Sequence, residues 1–339
     1  MILEEVNNFD PSILNAETPF TQAGFYGDWQ KALGREVKRY IVKEGSEIIA
    51  YFQMIKYPLL LGKSYFYIPY GPVIKNTNPD QELLLFIKEE INKINKKEKA
   101  IFTRLDFTPV IPNEILGKYF TKTPLCACNT PSSQPRTEWF LKLDKTENAL
   151  LMSMDASNRQ SVRTAEKKNI TVEIATENFT TYFETFYKLM TGTAKRNGFG
   201  LHAREYYLAV FNNLAKIQNA YLVIAKYEEK ILLIKMIIIY NGVANDVFTG
   251  SSNEERNRRP TYLAIWKAVL QAKKLNCKYY NFGGITDGEN NSPDWGGITS
   301  FKKKFGGFEV KHSNFYDVVT NPLIYYLYNL RKFLKSLHP

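Results

Sequence analysis

The chain has 339 residues, 44% of them hydrophobic and 14% aromatic, which excludes a disordered chain and leaves room for two folded domains. Its formal net charge is +11, with 45 Lys and Arg against 34 Asp and Glu, a balance that suits an anionic partner such as nucleic acid, a phosphorylated substrate or an acidic membrane. Three cysteines (Cys126, Cys128, Cys277) and three histidines (His202, His312, His338) are too few and too scattered for a disulfide framework or a ligand set, so no metal is expected and a reducing, cytoplasmic location is.

The opening "MILEEVNNFD" lacks the basic start and apolar run of a signal peptide. "REVKRYIVK" (35–43) and "EIIAYFQMIKYPL" (47–59) read as two strands around a turn at Glu44-Gly45-Ser46. "SYFYIPYGPVI" (64–74) reads as a strand running into a Gly-Pro break. A helix is expected from Pro79-Asp80, with Leu84, Ile87, Ile91 and Ile94 on one face. "KAIFTRLDF" (99–107) returns as a strand, with Arg104 and Asp106 on the same side at period two, either an ion pair or part of a site.

"CACNTPSSQPRTEW" (126–139) reads as a linker. The basic helical region after it carries Arg159, Arg163, Lys167 and Lys168 along one face, either a solvated face or a contact for phosphates. The plan then repeats. "LVIAKYEEKILLIKMIIIY" (222–240) reads as two strands around Glu228-Glu229, its most apolar stretch too short to span a bilayer and interrupted by Lys235. "DVFTGSS" (246–252) is a strand entering a loop, and Pro260 starts a helix with Leu263, Trp266 and Leu270 on one face. "CKYYNFGGI" (277–285) closes the unit. Two matching halves predict a duplicated α/β (α+β) domain with mixed sheets flanked by helices. The tail "NPLIYYLYNLRKFLKSLHP" is an amphipathic helix with Leu323, Tyr326, Leu327 and Leu330 on its apolar side. The expected dock is the first half; lying on a membrane surface is the alternative, because Arg331, Lys332 and Lys335 flank it.

No nucleophile elbow, P-loop or dinucleotide fingerprint is present. A reaction with an already activated donor needs no cofactor, only positioning and charge stabilisation. "GSSNEERNRRPTYL" (250–263) offers a helix N-terminus with Arg256, Arg258 and Arg259, either a cap or an anion site. "FKKKFGG" (301–307) places three lysines between two aromatics and before a Gly-Gly turn, so that a lysine can be held in a cleft.

These segments, in order along essentially the whole chain, resemble the Fem family of transferases, which move amino acids from aminoacyl-tRNA onto peptidoglycan precursors. The resemblance is carried by "YIPYGPVI" (67–74), "RLDF" (104–107), "NRQSVRTAEKKNITVEI" (158–174), "TGTAKRNGF" (191–199), "PTYLAIWKAV" with "AKKLNCKYYNFGGI", and "FKKKFGG". It implies two tandem GNAT-like acyltransferase domains: 1–137, completed by a C-terminal helix at 320–339, and 138–319. No long coiled-coil arm is expected. It also implies aminoacyl transfer from tRNA to the stem-peptide amine of a UDP-linked or lipid-linked muropeptide, with no cofactor and with peripheral association at the inner membrane surface.

By the same resemblance Phe301 and Lys302 match the family's catalytic Phe-Lys, with Lys303 facing tRNA. Asp106 matches an acidic residue assigned to the amine proton, and Tyr70 and Arg104 lie in matching substrate-binding motifs. The acceptor arginine and tyrosine fall in register on His202 and Tyr206, with Arg204 and Tyr207 close by. Either Arg204 takes the arginine's place by a local shift or acceptor recognition has changed. A phosphate-binding lysine falls near Gln30, with Lys31 beside it. Two alternatives remain at this stage: another GNAT-type N-acyltransferase with a different amine acceptor, or a non-catalytic binder of tRNA or muropeptide.

Overall fold

A computed structural model describes residues 1–76, 78–108, 110–124, 134–214, 220–286 and 293–337. The chain divides into two compact units, Met1–Arg136 with Lys311–Pro339, and Thr137–Val310.

The first unit runs β1 (Ile2–Glu5), α1 (Gly24–Ala32), β2 (Val37–Glu44), β3 (Glu47–Pro58), β4 (Ser64–Ile68), β5 (Val73–Ile74), α2 (Gln81–Lys97), β6 (Ala100–Leu105), α3 (Asn113–Tyr119) and β7 (Thr121–Lys122). Strands β1 to β4 form an antiparallel meander, and β6 then joins parallel to β4. A parallel neighbour needs a crossover, which α2 supplies. Asp80 caps α2 by accepting from the Leu83 N–H at 2.8 Å, and Leu84, Ile87 and Ile91 are fully buried. Helix α1 is fixed by a buried arginine. Arg39 donates to Gln53 Oε1 (2.9 Å), the Gly24 carbonyl (2.8 Å) and Asp28 (2.8 Å).

The second unit runs β8 (Thr137–Lys142), α4 (Glu147–Met152), α5 (Ala156–Lys167), β9 (Ile170–Ala175), α6 (Phe183–Asn197), α7 (Arg204–Leu214), β10 (Ala220–Tyr227), β11 (Lys230–Tyr240), β12 (Val243–Ser251), α8 (Pro260–Lys274), β13 (Tyr279–Gly284), α9 (Pro293–Lys303) and β14 (Phe308–Lys311). Its sheet follows the same plan. Strands β9 to β12 are antiparallel, β13 is parallel to β12 after the α8 crossover, and β8 closes antiparallel to β13. The expected mixed α/β duplication is therefore present. Helix α6 packs hard against β12 at Gly250, where a Cβ would stand 2.8 Å from the Met190 nitrogen.

The chain then returns to the first sheet as β15 (Tyr316–Val319), antiparallel to both β6 and β7, and ends in α10 (Pro322–Leu337). The return begins ahead of the tail helix expected to complete the first unit. The expected linker also needs adjusting. Its residues 126–133 lie outside the described residues, but Thr137, Glu138 and Trp139 belong to β8. The basic region after it is two helices, α4 and α5, separated at Ser153–Asp155.

Arg104 finds its two-pronged partner far along the chain rather than in the neighbouring Asp106. It is buried and makes a two-pronged contact with Asp317 of β15, with Nε and Nη2 each 3.0 Å from a carboxylate oxygen. The Tyr325 hydroxyl of α10 donates to the same carboxylate at 2.7 Å. This buried pair holds β6, β15 and α10 together, and the carboxylate pushes the guanidinium pKa further above its ordinary value despite burial. Asp317→Ala leaves that cation without its counter-charge and is expected to cost roughly 3–5 kcal/mol of stability. Urea unfolding checks this; a loss under about 1 kcal/mol would mean the guanidinium is satisfied elsewhere.

Candidate active site

In the second unit, β12 and β13 pair from Val243 with Tyr279 to Asn245 with Asn281 and then part. A buried amide sits at the fork. Asn281 Nδ2 donates to Asn245 Oδ1 (3.2 Å) and Glu138 Oε1 (3.0 Å), and its Oδ1 accepts from the Gly283 N–H at 2.7 Å. Beyond the fork lies a cavity of about 410 Å³, lined by Asp246 and Phe248 of β12, Phe282 of β13, Met190 and Arg196 of α6, and Lys302 of α9, among others.

Lys302 sits in the last turn of α9 and donates from Nζ to the Gly284 carbonyl at 2.6 Å. Burial lowers its pKa to about 8; the nearby Asp246 and Glu138 carboxylates pull it up, and the Lys235 ammonium pushes it down. Lys235 and Asp246 form an almost fully buried ion pair on the cavity wall. Lys235 also donates to Thr249 Oγ1 (2.8 Å), and the Tyr280 hydroxyl donates to Asp246 at 3.2 Å.

The "FKKKFGG" run explains how the lysine is held. Phe305 is fully buried and packs on Phe282, with ring centroids 5.7 Å apart. Phe301 stands edge-on to Tyr262 and to Phe305, each at 5.3 Å. Gly306 and Gly307 have φ of +80° and +109°, and a Cβ on Gly307 would lie 2.1 Å from the Phe140 carbonyl oxygen. Trp139 Nε1 donates to the Gly306 carbonyl at 2.7 Å and fastens the turn. Lys303 points elsewhere and lies 5.3 Å over the Trp139 ring.

A second cleft of about 600 Å³ shares Arg196, Asn197, Ser251, Thr261 and Phe301 with the cavity. It adds Arg256, Arg259 and the start of α8 at Pro260. Arg196 is held at the junction by Ser251 (Nη2 to Oγ, 2.8 Å) and Asn253 (Nη1 to Oδ1, 2.5 Å), and burial beside Arg256 lowers its pKa. A largely apolar pocket that holds Lys302 and the Lys235–Asp246 pair therefore adjoins a basic cleft at a helix N-terminus.

The sequence pattern described as the FemAB family matches residues 125–233 and 212–332, more than half of the chain. The chain belongs to the FemAB family. The lipid II:glycine glycyltransferase of Staphylococcus aureus strain MRSA252 is 22% identical over 377 residues, covering 89% of this chain and 88% of the relative. The protein of the same name from Staphylococcus saprophyticus subsp. saprophyticus is 23% identical over 253 residues, covering 57% of this chain and 60% of that relative. The crystal structure of FemX superposes with a TM-score of 0.81 at 19% identity, over 97% of this chain and 100% of that one. A tandem GNAT protein from the clavulanic acid biosynthesis pathway superposes at 0.58 and 12% identity, over 95% and 99%. These structural likenesses establish the fold as two GNAT-like units.

Within this FemAB chain, Lys302 and Phe301 line the cavity together. Tyr206 and Tyr207 stand behind its Phe248 wall, with rings 6.3 and 5.3 Å from Phe248, and His202 stacks on Tyr206 at 4.0 Å. Arg204 does not line the cavity: it pairs with Glu184 and lies 4.9 Å over the Phe183 ring. Among the basic residues expected to meet phosphates, Arg256 and Arg259 line the basic cleft. Arg163 is exposed on α5, while Arg159 donates to the Met152 (3.1 Å) and Met154 carbonyls. Arg258 bonds Glu255 (2.7 Å) and the Lys168 carbonyl (3.1 Å), with Tyr227 beneath it at 3.5 Å. Three residues passed over as site candidates matter here: Arg196, Lys235 and Asp246. A lysine inside "ILLIKMIIIY" was the signal for the last two, since a buried ammonium demands a carboxylate.

In the first unit, Asp106 is buried and accepts from the Tyr70 N–H (2.6 Å) and the Tyr67 hydroxyl (3.2 Å). Burial pushes its pKa well above the ordinary carboxylate range. Tyr70, at φ +50°, donates to the Pro135 carbonyl (2.5 Å) and stacks on His312 at 4.2 Å. Asp106 thus fixes the turn before Gly71-Pro72. Lys31 is exposed at the end of α1, and the neighbouring Gln30 is buried against Arg35. No group of three or more metal-ligating side chains occurs among the described residues.

Lys302 loses its charge as pH rises through about 8. Lys235→Met removes a like charge and moves that midpoint up; Asp246→Asn removes an opposite charge and moves it down. The pH dependence of amine-specific labelling at Lys302 reads both shifts, and coincident curves for the three proteins would rule the pair out as a determinant of its charge.

Proposed function

We propose that this FemAB protein transfers an amino acid from aminoacyl-tRNA to the stem-peptide amine of a peptidoglycan precursor. The observation that carries this reading is Lys302, with its depressed pKa, on the wall of a largely apolar cavity that adjoins a basic cleft. The name of its staphylococcal relatives, lipid II:glycine glycyltransferase, supports the class of reaction and of acceptor.

The chemistry follows from the donor. An aminoacyl ester is already activated, so the neutral acceptor amine attacks its carbonyl carbon directly. The new C–N bond forms, the ester C–O bond breaks, and the amine proton ends on the departing ribose hydroxyl. The intermediate carries an oxyanion, which an ammonium at Lys302 stabilises in a site shielded from water. The Gly284 carbonyl holds that ammonium in place, and Asn281 fixes the backbone at the neighbouring Gly283. The terminal phosphates of the tRNA are assigned to Arg256, Arg259 and the α8 N-terminus, with Arg196 at the step from cleft to cavity. Asp106 serves the Tyr70 turn in this scheme and is not required to take the proton.

The deciding experiment offers a mixed pool of radiolabelled aminoacyl-tRNAs with a UDP-linked muropeptide and, separately, its lipid-linked form. Label on either acceptor is the expected result and names the amino acid. No label on either, with acetyl transfer from acetyl-CoA to an amine instead, would replace the reading with another GNAT-type activity. Lys302→Ala is expected to lower kcat by roughly 10²–10³-fold, in line with loss of one oxyanion-stabilising group, with the unfolding midpoint little changed. Arg256→Gln with Arg259→Gln is expected to weaken tRNA binding and to flatten its salt dependence by about two units of slope. An unchanged slope would remove the cleft from tRNA recognition.

A further inference from the structure

Helix α10 docks by a different face from the one its leucines suggested. Tyr325 is buried against Phe102 (5.2 Å), and Tyr328 packs on Phe102 (5.3 Å) and Tyr65 (6.3 Å). At 3.6 residues per turn, Leu323, Tyr326, Leu327, Leu330 and Leu334 fall on the opposite side. These five side chains are between 39% and 70% exposed. They form one continuous apolar stripe over a helix about 24 Å long. Arg331 and Lys335 are exposed along one border of the stripe, and the helix carries no acidic residue. The β3–β4 turn, in the hairpin that presents Tyr65 to α10, also exposes Leu60 and Leu61, followed by the exposed Lys63.

We propose that this stripe seats α10 on an anionic lipid surface, with its leucines among the acyl chains and Arg331 and Lys335 at the headgroups. Charge selects this occupant over a second copy of the chain. A symmetric dimer through the stripe would bring together two helices that carry cations and no carboxylate, on two chains each of net charge +11. An anionic bilayer offers both the apolar depth and the missing negative charge. The inference goes beyond the transfer reading and can be tested without it.

The test is flotation of the full chain with phosphatidylglycerol–phosphatidylethanolamine vesicles, against phosphatidylcholine vesicles, with no donor or acceptor present. The wild type is expected to float with the anionic vesicles. Leu327→Glu with Leu330→Glu, both exposed and so compatible with folding, is expected to lower partition at least about tenfold. Arg331→Gln and Lys335→Gln are each expected to lower it about fivefold. Failure of the wild type to float, or equal flotation of the leucine variant, overturns the proposal. So does a wild-type dimer in sedimentation that the leucine variant abolishes, because the stripe is then covered by a second copy. Transfer to the water-soluble UDP-linked acceptor should be the same for wild type and leucine variant. Absence of transfer with flotation intact would sink the transfer reading alone.

Discussion

Everything at the candidate site depends on where two parallel strands stop pairing. β12 and β13 separate after Asn245 and Asn281, and the gap exposes the side chains that follow on each strand. An antiparallel pair could have closed with a tight turn. A parallel pair needs a helical crossover, here α8, and the same crossover delivers a helix N-terminus to the mouth of the gap. The Asn281 amide fixes the fork, and Gly283 and Gly284 carry the strand past it without side chains to fill the space. The first unit has the matching parallel pair, β4 with β6, and there Asp106 and the Tyr70 turn follow the paired residues.

Charge within the cavity is arranged around this gap. Lys302 would be an ordinary surface cation at the end of α9 if Phe301 and Phe305 were not anchored on either side. Burial makes its ammonium costly, and the carbonyl of Gly284 recovers part of that cost. The Lys235–Asp246 pair presents opposite charges behind it, so small rearrangements of that pair act directly on the Lys302 proton.

Much of the fold was legible in the sequence. Alternation marked β2, β3, β10 and β11, and a proline or a capping aspartate marked the starts of α2 and α8, because these signals are local. The "FKKKFGG" run was legible as a held lysine because aromatics and glycines around charges have few other uses. Partners distant in the chain were not legible. Arg104 meets Asp317 across 213 positions, and nothing near "RLDF" distinguishes that from a pair with Asp106. The tail helix misled for a different reason. It has two apolar faces, one of tyrosines and one of leucines, and a hydrophobicity pattern cannot say which of them the fold covers. The arginines divided in the same way, since Arg204 and Arg258 satisfy neighbours that only the folded chain brings near.

The return of the chain as β15 sets an order of assembly on the ribosome. The first sheet lacks the strand between β6 and β7 until residues 316–319 have been synthesised, and by then all of Thr137–Val310 has already been made. The second unit can fold as soon as it is made, while the first presents an open β6 edge with Arg104 still lacking Asp317. The portion translated first is therefore finished last, and the tail that completes it is the same segment whose leucines remain on the surface.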